Sequence, residues 1–236
     1  HVSESDSITD TVTLVSTLDP PSTAYPEWPN VNPEELPAAY KKAWLMRQAL
    51  AQEIERYIER GWARSQSDFA VRSGIGHAVL RRWLAGTSWP STETVASAES
   101  VLELPLWPHQ NARKPHLRSK GGYDYPSSAF DVPVATVVAW YDRSQVAREL
   151  YPGWPDSLDV SAPEHQMIQA MVINLRRERN RYRSVKGVAE KSGVAASTIS
   201  DILNGNTWPS LETMARLEVG LGVRLWPGVK IARGNT

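Results

Sequence analysis

Side chains able to do chemistry are unevenly placed along this sequence. Residues 113–120 hold Arg113, Lys114, Arg118 and Lys120 and no acid, and residues 176–191 hold seven Lys or Arg against Glu178 and Glu190. Residues 1–35 hold seven acids and no Lys or Arg. Formal net charge is zero, but salt screens charges beyond about 8–10 Å, so these patches act locally and suit a polyanionic partner despite the neutral total. Enzyme signatures are missing from the sequence. There is no Cys, which removes disulfides, thiolate nucleophiles and thiolate metal sites. No G-x-S-x-G, Walker, H-E-x-x-H or dinucleotide-binding pattern occurs. His109 and His116 share a basic loop with no third metal ligand nearby. No catalytic residue, metal, cofactor or small-molecule ligand is therefore expected. No run of 18 apolar residues occurs, so no membrane span is expected, and a cytoplasmic, nucleoid-associated place fits a polyanionic partner.

The elements that would carry these side chains are written twice. Ser65–Pro108 lies over Ser184–Pro227 without a gap, with identities at Ala70/Ala189, Gly74/Gly193, Leu84/Leu203, Gly86/Gly205, Trp89/Trp208, Glu93/Glu212 and Trp107/Trp226. Upstream, YPEWP at 25–29 recurs as YPGWP at 151–155. Copy one is seven residues longer between that motif and the matched block. Two helical turns take about seven residues, so a longer first helix would keep its buried face in phase. Two copies indicate a duplication, not a solenoid.

Each copy reads as four helices. Ala39, Ala43, Met46, Leu50, Ile54 and Tyr57 recur at three- and four-residue spacings before Gly61, which predicts an amphipathic helix over 36–60. Ile168, Met171, Val172, Leu175 and Tyr182 do the same after Pro163. A short second helix starts at the caps Ser65 and Ser184 and stops at Gly74 and Gly193. A third runs over about 76–85 and 195–204 and stops at Gly86 and Gly205. Trp-Pro-Ser then opens a fourth, with Ser91 and Ser210 as caps and Glu93 and Glu212 favoured by the helix dipole. Trp89, Trp208, Trp107 and Trp226 are expected in the core, the first two locking the corner between helices three and four.

A pair of short helices joined by a Gly turn and flanked by longer ones is a helix-turn-helix unit. The stretch VAEKSGVAASTISDILNGNTWPSLETMARLEVGLG resembles the lambda-repressor-like (Xre/Cro) helix-turn-helix family in its Ala in helix two, Gly in the turn, Ile-Ser in helix three, Gly after it and Pro-Ser-Leu-Glu-Thr opening helix four. Copy one follows the same frame, with Leu80-Arg81 where copy two has Ile199-Ser200. The resemblance implies a mainly α fold of two tandem bundles, and a DNA-binding transcriptional regulator of phage or bacterial type, commonly a repressor.

It also implies site residues, since in this family the start of helix three enters the major groove. The base-reading positions become His77, Ala78, Arg81 and Arg82 in copy one, and Ala196, Ser197, Ser200 and Asp201 in copy two. Arg suits guanine O6 and N7, whereas Asp can accept from a cytosine amino group. Copy one is thus the stronger reader, and two unlike readers imply an asymmetric or pseudo-symmetric site. Phosphates would be held by Gln66 and Ser67, by Ser184 and Lys186, and, where the family contacts backbone, by Thr87 and Asn206. Arginines of the 176–186 tract would grip phosphate or pair with Glu178. Arg113, Lys114, Arg118 and Lys120 lie in a Pro- and Gly-containing linker that can follow the DNA.

Residues 7–18 and 131–142, rich in Val and Thr, are read as short strands preceding each bundle, able to pair with each other as a clamp; for 134–149 a helix is the alternative. The division is then an acidic arm with a strand at 1–24, a first domain at 25–108, a basic linker at 109–130, a strand or connector at 131–150 and a second domain at 151–236. The partner is double-stranded DNA, met by a monomer acting as a pseudo-dimer or by a homodimer. The rival reading is a protein-interaction module, such as an antitoxin or accessory regulator, because helix-turn-helix folds also serve protein contacts.

Overall fold

The computed structural model describes residues 17–108 and 145–227. Copy one comprises a short helix α1 (Pro21–Ala24), a 3₁₀ turn (Pro33–Glu35), α2 (Ala38–Glu59), α3 (Gln66–Arg72), α4 (His77–Ala85) and α5 (Thr92–Leu102). Copy two repeats the order as α6 (Ala147–Leu150), α7 (Pro163–Arg181), α8 (Val185–Ser192), α9 (Ala196–Leu203) and α10 (Leu211–Leu221). The local reasons are those of the sequence. Ser65 Oγ accepts from Asp68 N at 3.2 Å and Ser184 Oγ from Gly187 N at 3.0 Å. Ser91 and Ser210 likewise cap α5 and α10, accepting from Thr94 N at 3.1 Å and Thr213 N at 3.0 Å. Each cap satisfies an amide that the first turn leaves without an intrahelical partner. Pro163 occupies the first turn of α7, where a missing N–H costs nothing.

The length difference between copies is not confined to the first helix. α2 has 22 residues and α7 has 19; the rest of the seven lies in the loops on either side, chiefly in the turn through Gly61 and Trp62. That turn folds back so that Trp62 meets Tyr57 edge-to-face, with centroids 5.4 Å apart.

The two copies share one hydrophobic core. α5 packs on α7, and α10 packs on α2, so helix four of each copy lies against helix one of the other. Ser91 and Ser210, matched positions of the repeat, form an antiparallel bridge. A bridge between equivalent residues places a pseudo-twofold axis between them. Near this axis two buried carboxylates are exchanged. Glu99 Oε1 accepts from its own copy's Leu106 N and Trp107 N, both at 2.7 Å, while its Oε2 accepts from Trp226 Nε1 of the other copy at 2.8 Å. Glu218 Oε1 accepts from Leu225 N at 2.8 Å and Trp226 N at 2.9 Å, and its Oε2 from Trp107 Nε1 at 2.8 Å. The symmetry ends at Lys42, whose buried ammonium lies 2.8 Å from Glu218 Oε2 and also donates to Pro108 O at 2.9 Å. Glu99 has no hydrogen-bonded cation among the described residues, and burial pushes its carboxyl above the usual range against the pull of its amide and indole donors.

Among the described residues no strand forms, and the copies are joined through helices. Nearly all of 7–18 and 131–142, and the four cations of the 109–130 linker, lie outside the described residues. The described end of the 131–150 connector is the helical turn α6.

Candidate nucleic-acid interface

Each recognition helix is anchored by apolar residues on one side and open on the other. Leu80 and Trp83 of α4, and Ile199 and Ile202 of α9, are buried. The residues between them face outward: His77, Ala78, Arg81 and Arg82 are exposed, as are Ala196 and Ser197, while Ser200 and Asp201 are half-buried. All eight expected base-reading positions therefore lie on the outer faces of α4 and α9. The two faces differ in chemistry. Copy one offers two guanidiniums and an imidazole. In copy two the polar groups are tied back: Asn204 Nδ2 donates to Ser200 Oγ at 3.4 Å and Asn206 Nδ2 to Asp201 Oδ1 at 3.1 Å.

The expected phosphate-holding groups among the described residues lie at the starts of α3 and α8 and just after α4 and α9. Gln66 and Ser67 occupy the first turn of α3, whose dipole and free amides favour an anion. Ser184 caps α8, so its hydroxyl oxygen is already engaged, and Lys186 reaches along the exposed side of that helix toward Glu190 at 3.8 Å. Thr87 and Asn206 lie just beyond helix three, Thr87 Oγ1 within 3.5 Å of Arg82 O. Asp68 also stands at this end of α3: it accepts from Arg64 N at 2.8 Å, and this hydrogen bond, helped by Arg72, holds its carboxyl below the usual range. In the 176–186 tract, Arg181 pairs with Glu178 at 3.5 Å as expected, whereas Arg176 is committed to Asp156 through two bonds of 2.7 and 2.8 Å.

What sets the exit of each recognition helix was only half legible in the sequence. Gly86 and Gly205 end α4 and α9 with φ of 69° each. Against Gly86 lies the indole of Trp28, and against Gly205 that of Trp154, so a Cβ at Gly205 would come within 2.7 Å of Trp154 Cδ1 and one at Gly86 would overlap the Trp28 ring. The Y-P-x-W-P motif is therefore a strap. Its preceding turn donates Ser22 N to Gly86 O at 2.9 Å in copy one and Arg148 N to Gly205 O at 3.1 Å in copy two. Trp89 and Trp208 close the strap from the other side. Their indole N–H groups donate to Asp19 O at 3.1 Å and Gln145 O at 3.0 Å. They are half-buried rather than core, because one edge of each indole must reach that carbonyl at the surface; Trp107 and Trp226 are fully buried as expected. Each corner is filled by three rings: Tyr25, Tyr40 and Trp89 in one copy, Tyr151, His165 and Trp208 in the other. The repeat of Y-P-x-W-P at a shifted offset was the signal for this strap.

The helix-turn-helix family matches the chain twice, over residues 63–106 and 173–225, in register with the duplication. No curated protein and no solved structure matches the chain. No helix among the described residues is long and apolar enough to cross a membrane.

Proposed function

The chain carries two domains of the lambda-repressor-like (Xre/Cro) helix-turn-helix family, a DNA-binding family, and on that premise we propose that it is a sequence-specific transcriptional regulator, acting as a repressor, that lays two unlike recognition helices from one polypeptide on a single stretch of duplex. The observation that carries this reading is the pair of outward faces of α4 and α9, related by the pseudo-twofold axis at Ser91 and Ser210. Such an axis is normally supplied by two subunits meeting on a palindromic operator.

Chain geometry limits how far apart the two readers can stand. Ser91 follows Gly86, and Ser210 follows Gly205, by five residue steps. Extended chain covers at most about 3.6 Å per residue and bridged Cα atoms lie about 5 Å apart, so the two helix exits stand within roughly 40 Å. Adding half the length of each helix, at about 1.5 Å per residue, keeps the helix centres within roughly 55 Å. Two turns of DNA need about 68 Å, so only half-sites one turn apart fit. The buried Trp–Glu exchange holds this spacing fixed.

Selection of bound sequences from a random duplex pool tests the reading. A site spanning two half-sites one turn apart, not perfectly palindromic, bound by one chain and with affinity falling steeply as salt rises, is the expected result. No binding even at low salt would assign the two outward faces to protein contacts instead.

A further inference from the structure

At one matched pair the two readers carry opposite charge. Arg82 in α4 and Asp201 in α9 occupy equivalent positions of the repeat. Arg82 is exposed and reaches out. Asp201 is held: Asn206, half-buried in the exit loop, donates its backbone N–H to Asp201 O at 2.8 Å and its side-chain Nδ2 to Asp201 Oδ1 at 3.1 Å. Asp201 Oδ2 takes no hydrogen bond from any described residue. In copy one the residue matching Asn206 is Thr87, which touches only the backbone carbonyl of Arg82. The device therefore belongs to copy two alone.

The chemistry of the two groups is complementary to opposite bases. A carboxylate only accepts hydrogen bonds. In the major groove cytosine offers the N4 amino donor, whereas guanine offers two acceptors, O6 and N7. A guanidinium fits guanine and is rejected by the cytosine donor. An unrestrained carboxylate near phosphates is driven away from the duplex by like charge. The Asn206 amide opposes this by fixing one oxygen while the other takes no hydrogen bond from a described residue.

Building on the DNA-binding reading, we propose that the site is approximately two-fold symmetric but inverted at one matched base pair, guanine lying under Arg82 and cytosine at the equivalent place under Asp201, with Asn206 as the positioning residue that aims Asp201.

The test is selection from a random duplex pool with the full chain, D201N and N206A. The wild-type protein should enrich guanine in one half-site and cytosine at the matched place in the other. D201N should lower the cytosine preference by about 5- to 150-fold and move it toward adenine, which an amide reads through N6 and N7, while leaving the guanine under Arg82 untouched. N206A should weaken the cytosine preference by a smaller factor, with the guanine preference under Arg82 and helical circular dichroism unchanged. A site with guanine in both halves, a site read by copy one alone, or a D201N selection identical to wild type would each overturn the inference while leaving DNA binding intact. Failure to enrich any sequence would remove the inference and the DNA-binding reading together.

Discussion

The indole N–H of Trp107 donates to Oε2 of Glu218 across the boundary between the two copies at 2.8 Å, with both side chains buried. Trp226 returns the bond to Glu99 at the same distance, and the two indoles lie 5.8 Å apart. A donor and acceptor exchanged this way make each copy's carboxylate depend on the other copy for its last partner. Removing one donor leaves a buried acceptor short of a bond, which costs about 1–3 kcal/mol. The two removals are not equal, because Glu218 keeps Lys42 and Glu99 keeps only its two backbone amides. Trp226→Phe should destabilise the chain more than Trp107→Phe, as measured by chemical denaturation. Both variants should unfold in one transition, since the copies share a core.

Glu99 also makes stability depend on pH. Burial raises its folded-state affinity for a proton above that of the unfolded chain. Its contribution is therefore fully present below the ordinary carboxyl range and is lost as pH rises through the raised value. Denaturation from pH 4 to 8 on wild type and Glu99→Gln should show wild type losing stability relative to Glu99→Gln as pH rises. A constant difference would mean that the proton affinity of Glu99 is the same in both states.

The exits of the recognition helices should tolerate nothing larger than glycine. Gly205→Ala adds a Cβ at φ 69° and presses it against Trp154. Left-handed strain and overpacking together cost about 2–4 kcal/mol, and Gly86→Ala should behave alike against Trp28. Thermal unfolding measures the loss. Trp154→Ala combined with Gly205→Ala should cost less than the sum of the two single changes, because the clash is then gone.

Base and phosphate contacts should separate by their salt behaviour. Arg82→Ala should cost about 1–3 kcal/mol on the preferred site and relax the choice of base there. Lys186→Ala should weaken binding to every sequence alike and reduce the salt slope by about 0.9. Gel shifts on selected and scrambled duplexes across salt measure both.

Much of each copy was legible because it is set locally. The four serine caps, the glycine stops and the inward stripes of α2 and α7 follow from short-range rules, and they stand where the spacing predicts. The outward placement of His77, Arg81, Arg82 and Ser197 follows from the helical period once Leu80, Trp83, Ile199 and Ile202 turn inward. The junction between copies was not legible. Glu99 and Glu218 stand in the sequence as ordinary helix-surface acids, and only the fold brings an indole from 127 and 111 residues away to each. The half-buried state of Trp89 and Trp208 was missed for a related reason, since the carbonyls they seek, Asp19 and Gln145, belong to straps far away in sequence.

The antiparallel bridge at Ser91 and Ser210 also bears on how such a molecule can change over time. An assembly of two identical chains must alter both halves of its footprint with every substitution. Joined end to end, the two halves keep their handshake yet are free to diverge, and Arg82 opposite Asp201 is what such divergence leaves behind. Under the proposed function, the fusion would widen the repertoire of targets open to a fold that is otherwise bound to palindromes.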